Sequence, residues 1–122
     1  MNSMLYPVMS KQVVDSFFEV HKALGPGLLE SCYHNALYYS LKKNLTVVYN
    51  KPYTVLFEGH TVGEYFADLV VESSVIVEVK SCAVLCGNHA AQLLNYLHIS
   101  GCRLGFLVNF QNCNLEFKRF VV

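Results

Sequence analysis

Asp68, Glu78 and Lys80 are the residues whose types and spacing can do chemistry. They lie in two alternating, β-branched runs, Phe66–Val71 and Val75–Lys80, separated by Glu72-Ser73-Ser74, the pattern of a hairpin with a short loop. With those three residues as the loop, Val71 faces Val75, and counting outward sets Asp68 opposite Glu78. Side chains alternate along a strand. Phe66, Asp68, Val70, Ile76, Glu78 and Lys80 therefore share one face, and Ala67, Leu69, Val71, Val75, Val77 and Val79 share an apolar face expected to be core. Two carboxylates opposed across a ladder sit about 5 Å apart at Cβ and repel. A hard divalent cation compensates such a pair, because Mg²⁺ is held by one or two carboxylates with other oxygens completing its octahedron. Lys80, about 7 Å along the strand from Glu78, is then within reach of a water or phosphate oxygen at the ion. The competing account is an exposed sheet end where Lys80 neutralises the acids as a surface ion pair.

The elements that must position these residues are legible in order. Ser10 is placed to cap a helix through Leu24, with Val13, Val14, Phe17, Val20, His21 and Leu24 at helical spacing. His21 reads as a satisfied histidine of the core or rim, and residues 1–9 as a loosely ordered lead-in. Gly25-Pro26-Gly27 ends the helix. A second helix is expected from Leu28 to Lys43, with Glu30 in its first turn, where the helix dipole favours a carboxylate. Glu30 borders the stripe of Tyr33, His34, Leu37 and Leu41. Tyr33 is expected to pack on the sheet with its hydroxyl partnered, and His34 is near enough to reach the site.

Leu45–Tyr49 and Tyr53–Phe57 read as extended runs interrupted at Asn50-Lys51-Pro52, followed by a turn at Glu58-Gly59-His60 and a further run whose Gly63 marks a candidate bulge. Beyond Lys80, Asn88 is placed to cap a helix to Ser100, with Ala90, Leu93, Leu94 and Leu97 as its apolar stripe and Gln92 and Tyr96 beside it. Leu104–Phe110 reads as a buried strand parallel to Val75–Lys80, and Leu115–Phe120 as an edge strand.

Asp68 followed by Glu78-Val79-Lys80 on the next strand resembles the catalytic core of the PD-(D/E)xK nuclease superfamily. Gly27-Leu28-Leu29-Glu30-Ser31-Cys32-Tyr33 is similar to the motif that names its GxxExxY branch, and Gln92-Leu93-Leu94-Asn95-Tyr96 to the downstream glutamine helix. The resemblance runs from about Val20 to the C-terminus. It implies an α/β (α+β) restriction-endonuclease-like fold, a mixed central sheet flanked by helices, and a Mg²⁺- or Mn²⁺-dependent nuclease acting on DNA more than on RNA. In that scheme Asp68, Glu78 and the Val79 carbonyl hold the ion, and Glu30 helps place it. Lys80 activates the attacking water, Gln92 contacts the site, and Tyr33 and Tyr96 support it. Phe66 stands where relatives often carry Arg, and Ala90 where they often carry an acid. Both departures point to the alternative, a nuclease-fold module with little catalysis that serves in nucleic-acid binding or protein assembly.

A chain of 122 residues suits one domain spanning residues 1–122, and its 53% apolar content describes an ordered globular protein. The formal net charge of +0 argues against broad non-specific DNA binding, so any nucleic-acid surface is local or is completed by a homo-oligomer or a protein partner with basic surface. No run is long and apolar enough for a membrane span, and no leader pattern opens the chain; the expectation is a soluble, intracellular, cytoplasmic protein without a membrane partner. Five cysteines, none in a CxxC pair, suggest free thiols in a reducing compartment. Cys82, Cys86 and His89 form a C-x3-C-x2-H string that lacks the fourth ligand a zinc or iron–sulfur site needs. Ser81 and the five histidines are left without a chemical role.

Overall fold

The computed structural model describes residues 5–122. Eight elements follow one another: α1 (Pro7–Leu24), α2 (Glu30–Leu41), β1 (Val47–Phe57), β2 (His60–Val71), β3 (Val75–Lys80), α3 (Gly87–Ser100), β4 (Leu104–Asn109) and β5 (Glu116–Val121). The strands form one sheet in sequence order, antiparallel except for β3 against β4. The crossover through α3 makes that pair parallel, as the spacing of the two runs requires. This is the mixed sheet flanked by helices expected from the sequence.

Both faces of the sheet are buried, against different helices. Leu69, Val71, Val75, Val77 and Val79 point to α1 and α2, where Val13, Phe17, Tyr33 and Leu37 complete a core with Phe106 and Phe110. Val70 and Ile76 point the other way, under Leu93, Tyr96 and Leu97 of α3, so the face that carries the acids is also a core. Burying each large aliphatic side chain there contributes about 1.5–3 kcal/mol. Leu94, expected in the stripe of α3, is 39% exposed, and Tyr96 takes the buried place. The helix approaches β4 closely at Gly105, where a Cβ would lie 2.9 Å from Leu93 Cδ1.

Several boundaries move. α1 begins at Pro7, not after Ser10, because proline suits the first helical position, where no N–H is needed; Leu5, Tyr6 and Met9 pack on the core, while residues 1–4 of the expected lead-in lie outside the described residues. α2 is shorter than expected, with Leu29 at its N-cap. β1 is one strand, not two: Asn50 takes a left-handed φ of 49° and Pro52 pairs opposite Phe66 on the sheet's edge. The register shift on the β1–β2 arm falls beside Gly63, as the glycine suggested. α3 starts at Gly87, and Cys86, not Asn88, is its cap; His89 Nδ1 accepts the Cys86 N–H at 3.1 Å, which gives that ring a capping role. All five cysteines are free.

Candidate active site

The hairpin closes in the expected register, Val71 opposite Val75 and Leu69 opposite Val77, and there the pairing of β2 with β3 stops. Below this point β2 pairs with β1 alone, and even that ladder skips Asp68 and Asn50, passing from Tyr49–Leu69 to Lys51–Ala67. Asp68 therefore sits at a fork. Its own groups replace the missing ladder bonds: Oδ2 accepts the Val79 N–H at 2.7 Å, and its N–H donates to Glu78 Oε1 at 3.3 Å. The two acids are adjacent as the register demanded, but held side chain to backbone, not as a ladder pair. The break also resets the alternation. Ala67, expected on the face of Leu69, packs instead with Val70 and Ile76 under α3.

Glu78 is 3% exposed. Burial first, and then the neighbouring Asp68 carboxylate, pushes its pKa well above the usual carboxylate range, against which the Lys80 ammonium acts only weakly. Tyr96 is raised too, by burial first and then by the Glu78 and Asp68 charges. Lys80 Nζ donates to Gln92 Oε1 at 3.3 Å, and Gln92 Nε2 donates to the Tyr96 hydroxyl at 3.4 Å. Asp68, Glu78, Val79, Lys80, Gln92 and Tyr96 are thus brought together. The Lys80 carbonyl accepts from Phe110 N–H at 3.0 Å, and carbonyls alternate along a strand, so the Val79 carbonyl points to the side of Asp68.

Glu30 is exposed at the start of α2, held through its turn rather than by the acids. The Tyr33 hydroxyl donates to the Gly25 carbonyl and accepts the Leu28 N–H at 3.0 Å, bracing a turn whose Gly25 and Gly27 have φ of 73° and 87°. Tyr33 is fully buried and stacks on Phe110, centroids 4.7 Å apart, so the expected partner for its hydroxyl is this turn. Ser81 Oγ donates to the Leu28 carbonyl at 2.7 Å and ties the turn to the end of β3. Cys82, next along, is raised chiefly by burial; the Lys80 charge lowers it and the Glu30 charge raises it. Among the described residues, no group of three His, Cys, Asp or Glu side chains is placed to hold a metal ion. The acids brought into contact are Asp68 and Glu78, while Glu30 stands exposed in the first turn of α2.

Three positioning roles escape the sequence argument, which credits His34 only with reach to the site. His34 Nε2 donates to the Asp68 carbonyl at 2.9 Å, so a histidine left without a role holds the catalytic candidate's backbone. Ser81 fixes the turn of Glu30. Asn109 is fully buried; its Nδ2 donates to the Cys82 carbonyl at 2.8 Å and its Oδ1 accepts the Cys82 N–H at 3.1 Å, fastening the chain just after Lys80. One polar residue ending an apolar strand was the available signal. His21, by contrast, is the satisfied rim histidine expected, its Nε2 2.8 Å from the Asn112 carbonyl oxygen.

The family model described as the PD-(D/E)XK nuclease superfamily matches residues 7–120. The chain belongs to the PD-(D/E)XK nuclease superfamily. The same fold recurs in the crystal structure of SSO0001, at a TM-score of 0.61 and 18% identity, over 95% of this chain and 60% of that one. The chain thus spans less than two thirds of the length of that solved structure. No curated protein matches. The superfamily's name calls for an acid, a second acid and a lysine, the residue types that Asp68, Glu78 and Lys80 have. The donor set suits a hard divalent cation: a buried carboxylate that accepts a long 3.3 Å bond from the Asp68 N–H, a second carboxylate beside it, and a carbonyl turned to the same side. No helix of the described residues is long and apolar enough to cross a membrane.

Proposed function

We propose that this chain is a divalent-metal-dependent nuclease of the GxxExxY branch that hydrolyses phosphodiester bonds, DNA being taken ahead of RNA on the family resemblance alone. The observation that carries it is Glu78, buried against Asp68 with Lys80 two residues along the same strand. An acid so placed, and so poorly compensated, is a cation's ligand more than a structural group. Asp68, Glu78 and the Val79 carbonyl would hold Mg²⁺ or Mn²⁺, with Glu30 at the rim helping to place it. When bound, the ion supplies Lewis-acid stabilisation of charge on the phosphoryl oxygens and a lowered water pKa.

The protein's own part is positioning and charge. Lys80 presents an ammonium beside the acids, where it orients the attacking water and stabilises negative charge as the phosphate becomes pentacoordinate. Gln92 and Tyr96 hold that amine in line through the 3.3 Å and 3.4 Å contacts. No cysteine or serine nucleophile is required. The Tyr33 strap on the Gly25–Leu28 turn supports placement in the GxxExxY branch, since it gives the glycine and tyrosine of that motif a shared purpose.

The second reading, a catalytically weak module for nucleic-acid binding or assembly, has one observation in its favour: Phe66 is 52% exposed next to the fork, where a cation would grip phosphate. Cleavage assays with Mn²⁺ on linear, nicked and single-stranded DNA and on RNA separate the two. Metal-dependent cleavage lost in Lys80→Ala is the expected result, and a Mn²⁺-induced rise in melting temperature should vanish in Asp68→Ala. No cleavage and no thermal shift in the parent protein would leave the module reading standing.

A further inference from the structure

A row of rings leads from the surface to the fork. Tyr39 and Tyr38 meet edge to face with centroids 5.3 Å apart, Tyr38 meets Tyr49 at 5.5 Å, and Tyr49 stacks on His34 at 4.2 Å with planes 9° apart. His34 in turn donates to the Asp68 carbonyl. Every link is a contact, and the last touches the residue at the centre of the acidic site. Tyr39 is 62% exposed and Tyr49 39% exposed, and with Asn35 and Tyr38 they line a groove of about 460 Å³. Asn35 Oδ1 accepts the Tyr49 hydroxyl at 2.7 Å and fixes that ring. Lys42 Nζ stands 4.9 Å from the Tyr38 centroid and 5.2 Å from that of Tyr39, a cation at the rim of the rings.

We infer that this tyrosine shelf is a stacking platform for the bases of an unpaired nucleic-acid strand, with Lys42 taking a phosphate, and that it leads the strand to the acidic fork. The inference rests on the nuclease reading and names its substrate class. Aromatic faces bind any base, but only one that is free of its own duplex stack. The charge of the chain favours the same occupant: at a formal net charge of +0, grip on a duplex backbone is weak and stacking must supply the affinity. A second copy of the chain packed on the shelf is the competing occupant.

The test is fluorescence anisotropy in EDTA with a labelled twenty-nucleotide oligo(dT), the same strand annealed to its complement, and oligo(rU). The single strands should bind more tightly than the duplex, and the two single-stranded arms tell DNA from RNA. Tyr39→Ala should weaken single-strand binding by about fivefold or more, the low end for one stacked base, while Tyr39→Phe stays close to the parent. Unchanged binding in Tyr39→Ala, a duplex bound as tightly as the single strand, or no binding at all overturns the shelf. So does self-association abolished by Tyr39→Ala. Shelf-dependent binding without Mn²⁺-dependent cleavage would sink the nuclease reading alone, and cleavage indifferent to Tyr39→Ala would sink the shelf alone.

Discussion

Asp68 and Glu78 share one fork but do different work. Asp68 spends one carboxylate oxygen on the Val79 N–H, a bond that replaces a missing ladder contact and fixes the side chain. Glu78 accepts the Asp68 N–H at a longer 3.3 Å, and burial first, then the Asp68 carboxylate, hold its pKa up. Without metal, the folded protein therefore binds more protons at this site than the unfolded chain does, once the pH exceeds the ordinary value of 4.5. Stability contributed by the protonated acid is then lost as pH rises. The melting temperature of the protein in EDTA should fall between about pH 5 and about pH 9, and Glu78→Gln, which keeps the shape without the charge, should flatten that fall. Parallel profiles for the two proteins would remove Glu78 as the cause.

At the scale of elements, two contacts carry the site. The strap from Tyr33 to the Gly25–Leu28 turn sets where α2 begins, and so where Glu30 stands. Tyr33→Phe leaves one backbone carbonyl and one N–H without their partner, which should cost about 1–3 kcal/mol in denaturant unfolding. Cleavage should drop in the same variant although neither Asp68 nor Glu78 has changed; full activity at reduced stability would show that the turn does not position Glu30. The second contact is Gly105 under Leu93, which seats α3 and with it Gln92 and Tyr96. Gly105→Ala should destabilise by about 1–3 kcal/mol through overpacking. Because the clashing atoms belong to Leu93, adding Leu93→Ala should give a total smaller than the sum of the two single changes, whereas simple additivity would place the strain elsewhere.

For the whole molecule the governing quantity is charge. Nine basic and nine acidic side chains cancel. Of the basic groups, Lys11 and Lys43 are already paired with Asp15 and Glu19. Lys42 and Lys80 stand at the shelf and the fork. A single strand held by these two should show log affinity falling against log salt with a slope of roughly −1.4, about 0.7 for each phosphate contact. A titration of the oligo(dT) complex across ionic strength measures it, and a slope several times steeper would show that more basic groups than these two take part.

The order of the elements, the register of the β2–β3 hairpin and the parallel pairing of β3 with β4 were all legible in the chain, as were the acid, acid and lysine types. They follow from alternation, loop length and crossover length, which are properties of neighbouring residues. The tertiary structure alone decided the face of Ala67, the second core under α3, the hold of Gln92 on Lys80, and the partners of His34, Ser81, Tyr33 and Asn109. Each of those joins groups from separate elements, and at Asp68 side chains take over bonds that the backbone would otherwise make, so a count along the strand carries the alternation straight through a point where the ladder has ended.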